Sequence, residues 1–142
     1  MKELLVTVAL WLTAGGLPVD TDVEIKYETQ REMEVRFYGH PNPETDIQAM
    51  YHYDFDEQKG TIYLQPDFDV KNKEHQSTLV HEMVHHHQAI TKKGHKCPDH
   101  YEAEAYYVEQ VWRHQNKMKP NIHPIRMAHL AMCREKGAWG GE

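Results

Sequence analysis

The sequence predicts an α+β fold, in which a small and mostly antiparallel sheet packs on a central helix and on the helix that follows it. Three patterns carry the prediction. From about Lys73 to Lys92, Leu79, Val80, Met83, Val84 and His87 recur at helical spacing. From Pro98 to about Asn116, Tyr101, Ala105, Val108 and Trp112 form a second such face, with proline at the first helical position. Upstream, Ile47 to Phe55 and Thr61 to Leu64 read as two strands joined through Glu57-Gln58-Lys59-Gly60. The 142 residues make a single domain spanning 1–142.

The first segment, Met1 to Gly16, carries a short apolar run from Leu4 to Leu12. It reads either as a first core helix stopped by Gly15-Gly16 or as a brief secretory signal cleaved near Ala14-Gly15-Gly16. Glu3 and Trp11 fit the helix better; the helix would place the chain in the cytoplasm and the signal outside it. The run is too short to span a bilayer, which takes about 20 apolar residues. Val23 to Tyr27 alternates apolar and polar as a half-buried strand does. Thr29-Gln30-Arg31-Glu32 matches a capping box and opens a helix from Gln30 to Tyr38, although Met33, Val35 and Phe37 alternate and support a strand nearly as well. His40-Pro41-Asn42-Pro43 is a loop.

Gly60 is expected to supply the positive-φ position of the hairpin turn. The strand after it ends at Pro66 among charges, the mark of an exposed edge. Residues Pro66 to Asn72 form a loop before the central helix, whose end is signalled by Lys92, Lys93 and the capping Gly94. A last helix is expected from Pro124 to Gly137 with Ile125, Ala128 and Met132 inward, followed by a frayed tail over 138–142.

Formal net charge is −6, the isoelectric point is near 6.0 and mean hydropathy is −0.81. With no basic run or aromatic-interleaved patch, nucleic acid is not an expected partner. Cys97 and Cys133 are too few for a cysteine-type zinc knuckle. They form either one disulfide closing about 36 residues or two small buried thiols.

The chemistry centres on His81-Glu82-Met83-Val84-His85. Two histidines four apart lie on one face of a helix, at the spacing that lets both imidazoles bind one Zn²⁺. The intervening Glu82 is then placed to take a proton from water at the metal. His81, His85 and Gln88 form a stripe beside the apolar face. His86 and His87 point away from it, His86 toward the surface and His87 toward packing or hydrogen bonding. A catalytic zinc needs three protein ligands. His95, His100, Glu102, Glu104 and Glu109 are candidates for the third, and helical geometry alone does not separate Glu102 from Glu104.

The run HEMVHHHQ, followed by Cys97-Pro98 and Tyr101-Glu102-Ala103-Glu104-Ala105-Tyr106, resembles the gluzincin metallopeptidases, and in particular small minimal gluzincin domains. The likeness covers roughly residues 1–112, with the two histidines and the later glutamate its specific parts. It implies a zincin-like fold and a third metal ligand in a Glu-x-x-Ala motif, which Glu102 matches seventeen residues after His85. It also implies Glu82 as general base and peptide or protein as substrate. An oxyanion helper is expected from among Tyr63, Tyr106, Tyr101 and His100. The strand Thr61 to Leu64 would border the cleft and pair with a peptide backbone. The metzincin continuation is absent, because position 88 is Gln and position 91 is Thr. The expected function is a zinc-dependent metallopeptidase. The alternative is a non-catalytic metal-binding or interaction domain that keeps the scaffold, since so short a chain lacks a large second subdomain for substrate pockets.

Overall fold

The computed structural model describes residues 1–41 and 47–133. The elements run α1 (Lys2–Ala14), β1 (Val23–Tyr27), α2 (Gln30–Tyr38), β2 (Ala49–Asp54), β3 (Lys59–Leu64), α3 (Lys73–Ile90), α4 (Pro98–Gln115) and α5 (Pro124–Ala131). This is the expected α+β architecture. The N-terminal run forms a helix whose Leu5, Val8, Ala9 and Leu12 enter the common core. There they join Ile62 and Leu64 of β3, Leu79, Val80, Met83 and Val84 of α3, and Ala105, Val108 and Trp112 of α4. Among the described residues no helix is long and apolar enough to cross a membrane.

The sheet corrects two expectations. It is mixed rather than mostly antiparallel: the order is β1-β3-β2, with β1 parallel and β2 antiparallel to β3. The expected edge, Thr61 to Leu64, is therefore the central strand. Its residues explain why, since Gly60, Ile62, Tyr63 and Leu64 are all buried, the near-continuous burial of a strand covered on both faces. Pro66 lies beyond the last ladder residue, so it ends the strand without saying which side is free.

Gly60 also has a different role. The positive φ of the turn belongs to Gln58, at 56°, and Asp54 Oδ1 accepts the Asp56 and Glu57 backbone N–H groups at 3.0 and 3.1 Å to tighten it. Gly60 sits inside β3, where the Tyr51 side chain crosses it to reach α3. A Cβ there would collide with the Tyr51 hydroxyl and lie 2.8 Å from His86 Nδ1.

Local signals decide the helix ends. In α2 both halves of the capping box are made, Thr29 Oγ1 accepting from Glu32 N at 3.1 Å and Glu32 Oε1 from Thr29 N at 2.9 Å. That satisfies two otherwise orphaned donors and settles the helix–strand ambiguity. Asn72 caps α3 by accepting from Glu74 N and His75 N. The far end of α3 stops at Ile90, earlier than expected: Lys92, not Gly94, takes the left-handed conformation (φ 52°), and Lys93 N–H closes onto Gln88 O at 3.0 Å. Helix α5 is shorter and rotated relative to expectation. It ends at Ala131 with Leu130 and Cys133 buried, while Ile125 is 59% and Met132 61% exposed and Ala128 faces out. Cys133 is bonded to Cys97 at the start of α4, and this anchor sets which face of α5 turns inward. The expected end at Gly137, the tail and Asn42-Pro43 lie outside the described residues.

Gly60→Ala should lower the free energy of unfolding by about 1–3 kcal/mol through overpacking, read as a reduced urea midpoint at unchanged slope. In a Tyr51→Phe background, where the hydroxyl is gone, the same substitution should cost measurably less.

Candidate metal centre

Helices α3 and α4 pack face to face, and one stripe from each meets in the seam. On α3 the stripe is Glu74, Ser77, His81, His85 and Gln88, spaced three or four residues apart. On α4 it is Tyr101, Glu102, Tyr106, Glu109 and Arg113. Contacts run in reverse order, as they must between antiparallel helices. Arg113 donates to Glu74 at 2.8 and 3.0 Å and to Ser77 Oγ at 3.1 Å. Glu109 accepts from Ser77 Oγ and pairs with His81 Nδ1 at 3.1 Å. The Tyr106 ring packs edge-on against His81 with centroids 4.4 Å apart. Glu102 Oε1 reaches His85 Nε2 in a short contact and lies 3.5 Å from His81 Nε2.

The hydrogen bonds fix where the imidazole protons sit. The Glu109 carboxylate also accepts from Asn121 Nδ2 at 3.0 Å, so His81 must present Nδ1–H to it. Gln88 Nε2 donates to Tyr101 O and to Glu104 Oε1, both at 2.9 Å. That leaves Gln88 Oε1 facing His85 Nδ1 at 2.8 Å, so this nitrogen too is the donor. Both Nε2 lone pairs are thereby aimed at one region, where they and a Glu102 oxygen all lie within 4.8 Å of one another. Two imidazole nitrogens and one carboxylate oxygen form a borderline donor set suited to a divalent transition ion. The partners on the far side of each ring are of the kind that orient metal ligands.

Electrostatics agree with this grouping. Burial opposes protonation of His81 and His85, but their bonds to Glu102, and for His81 to Glu109, raise both imidazoles above the ordinary histidine range. Burial likewise opposes ionisation of Glu102, yet the two imidazoles hold its carboxyl well below the usual value. Without an ion, the site is held together by protons on Nε2, and a metal would take their place.

Glu82 behaves differently from the other carboxylates. Burial pushes its carboxyl up, partly offset by the nearby His81 and His85 charges. It is 7% exposed and has no hydrogen-bond partner among the described residues. Such a group is costly to bury unless something else engages it.

The remaining candidates are distributed as follows. Glu104 is turned away from the seam, because two residues along a helix amount to more than half a turn. It binds Lys93 Nζ at 2.8 Å, His95 Nε2 at 3.2 Å and Gln88. These bonds outweigh its burial and draw its carboxyl down to about 2. The structure thus separates Glu102, one of the three candidate ligands, from Glu104, which braces Gln88. His95 is taken by Glu104, and His100 Nε2 bonds Ala131 O at 2.8 Å. Tyr63 lies under the Arg36 guanidinium, and Tyr101 donates to Lys93 O at 3.0 Å. Of the four suggested oxyanion helpers only Tyr106 touches the site; burial raises its hydroxyl to about 12.

His86 corrects the expectation of a surface role. It is 1% exposed and bridges Tyr51 OH, 2.6 Å from Nδ1, and Asp20 Oδ1, 2.8 Å from Nε2. His87 Nδ1 bonds Pro18 O at 2.7 Å, so the two histidines pin the segment after α1 over the back of α3. Ser77 and Asn121 join the seam through Glu109 without a motif to announce them. The signal for Ser77 was its place one turn before His81 on the same stripe; nothing local marks Asn121.

At a pH above their raised pKa values, neutral His81 and His85 should both carry the proton on Nδ1. Long-range proton–nitrogen correlation spectra read this directly, and a bare Nδ1 on either ring would contradict the assignment.

No curated protein matches the chain, and no solved structure does. One family model does, over residues 2–139, so that nearly the whole length with both stripes lies inside it: the chain belongs to the family described as Domain of unknown function (DUF6647).

Proposed function

We propose that this protein is a zinc-dependent metallopeptidase with a zincin-like, gluzincin-type centre. The observation that carries the reading is Glu82, a buried carboxylate with no hydrogen-bond partner among the described residues, placed between the two histidines whose Nε2 atoms converge with Glu102. His81, His85 and Glu102 would hold the ion. Bound zinc supplies Lewis acidity that lets water act as a nucleophile near neutral pH. Glu82 accepts the proton lost by the attacking water and returns it to the departing amine, so one water is consumed for each amide cleaved. Its raised basicity suits it to this exchange. Glu109 and Gln88 hold the imidazoles in the ligating tautomer. Tyr106, against His81, is the donor best placed to face a developing oxyanion.

The substrate edge has to move. Since β3 is internal, it offers no free ladder to a peptide. The strand packed beside α3 is β2, itself at the sheet edge and tied to the helix through Tyr51 and His86. The peptidase reading therefore assigns peptide pairing to β2. The loss of the expected edge favours the second reading, a metal-binding domain without catalysis.

Purified protein should contain about one zinc per chain. His81→Ala, His85→Ala and Glu102→Ala should lose it, while Glu104→Ala keeps it. Glu82→Gln should retain zinc and lose at least about a hundredfold in hydrolysis of a mixed peptide library. Unchanged hydrolysis in Glu82→Gln defeats the peptidase reading, and intact metal with no hydrolysis in wild type supports the second.

Zinc must displace protons from imidazoles whose folded pKa values are raised. In the metal-free protein the imidazolium pairing contributes stability fully below the unfolded histidine value, about 6.5. That contribution is lost as pH rises through the raised folded values. The gain in thermal midpoint on adding zinc should accordingly widen with rising pH over that interval, as followed by circular dichroism.

A further inference from the structure

A second cluster of metal-ligating side chains lies outside the centre just described. Cys97 is the N-cap residue of α4, His100 lies in the first turn of that helix, and Cys133 follows the end of α5. The sulfurs of Cys97 and Cys133 form the disulfide, with Cα atoms 6.2 Å apart. His100 Nε2 lies 3.2 Å from Cys133 Sγ, and one ligand atom from each of the three residues falls within 4.8 Å of the others. Cys97 and His100 are half-buried, within reach of small reagents.

We propose that these three residues form a redox-gated site for a thiophilic divalent ion such as zinc. Oxidised, the sulfurs staple α4 to α5. Reduced, they become two thiolates beside an imidazole, the Cys₂His donor set of a zinc ion with one open position. A small dithiol supplies the electrons. Its two thiol groups become a disulfide, the Cys97–Cys133 bond breaks, and Zn²⁺ takes both sulfurs as two protons leave to solvent. The three ligands already surround a common point. With zinc–sulfur bonds of about 2.3 Å the sulfurs need to part to only about 3.8 Å. Side-chain rotation at unchanged backbone spacing can deliver that. The Nε2 proton now given to Ala131 O moves to Nδ1, freeing Nε2 as ligand. The two helices thus stay tied in either redox state, by a covalent bond or by an ion. This assignment does not depend on the peptidase reading, because its donors are separate from His81, His85 and Glu102.

Cobalt titration of the full chain tests it. The thiolate-to-cobalt charge-transfer band reports sulfur ligation only and is blind to the nitrogen and oxygen donors of the first centre. Before reduction no such band should form. After reduction with a phosphine the band should saturate at one sulfur-bound cobalt per chain and disappear when zinc is added. His100→Ala should weaken this cobalt by about tenfold or more, as loss of one of three donors, whereas His129→Ala, exposed on α5, should leave it unchanged. Absence of the band in the reduced protein overturns the proposal. So does a band of equal affinity in His100→Ala, or one that survives in strong urea while helical circular dichroism is gone, since unfolded thiols would then be the ligands.

Discussion

The seam between α3 and α4 is lined with polar groups, most of which have little access to water and need their neighbours across the gap, while Glu74 at its end stays exposed. Arg113 engages Glu74 and Ser77, Ser77 and His81 share Glu109, His85 and His81 share Glu102, and Gln88 takes the Tyr101 carbonyl and Glu104. A buried polar group left unmatched costs more than a matched one contributes. The two helices therefore have one register in which every member is satisfied, and any slide along the axis leaves several members stranded at once. The apolar core under α1 and β3 supplies cohesion, and the polar seam supplies alignment.

Four glutamates near this seam show how position alone divides one residue type into different roles. Glu102 faces two imidazoles and stays ionised. Glu109 faces an imidazole, a hydroxyl and an amide and serves as a fixed acceptor. Glu104 is held from behind by Lys93 and His95. Glu82, one residue from His81, is buried with no hydrogen bond among the described residues and so retains affinity for a proton.

Much of this was legible in the chain itself. The H-E-x-x-H spacing, the Thr29–Glu32 box and proline at the head of α4 are local signals, and local signals determine caps, turns and faces. What they do not carry is the identity of the neighbour. Burial of Ile62 and Leu64 was readable as apolar character, but whether β3 had one partner or two depended on β1 arriving from the other side. Gly60 reads as a turn residue in sequence because glycine serves both for positive φ and for close approach, and only the tyrosine crossing it tells the two apart. His86 reads as a surface residue because nothing near it in sequence announces that Tyr51 and Asp20 cover it. Helical geometry alone does not separate Glu102 from Glu104; the Glu-x-x-Ala likeness points to Glu102, and the direction from which α3 approaches α4 puts that residue beside the two histidines. In α5 the apolar spacing of Ile125 and Met132 pointed one way and the bond at Cys133 another.

The three candidate metal donors His81, His85 and Glu102 come from a single helical hairpin whose connection is only the residues between Ile90 and Pro98. The parallel pairing of β1 with β3, by contrast, must first close the long excursion through α2 and β2. Short-range closure is fast and long-range closure slow. When the whole chain refolds, the α3–α4 hairpin and the β2–β3 hairpin would accordingly close before β1 joins the sheet, and an ion captured at that stage would serve as a template for folding, ahead of any part it takes in the finished molecule.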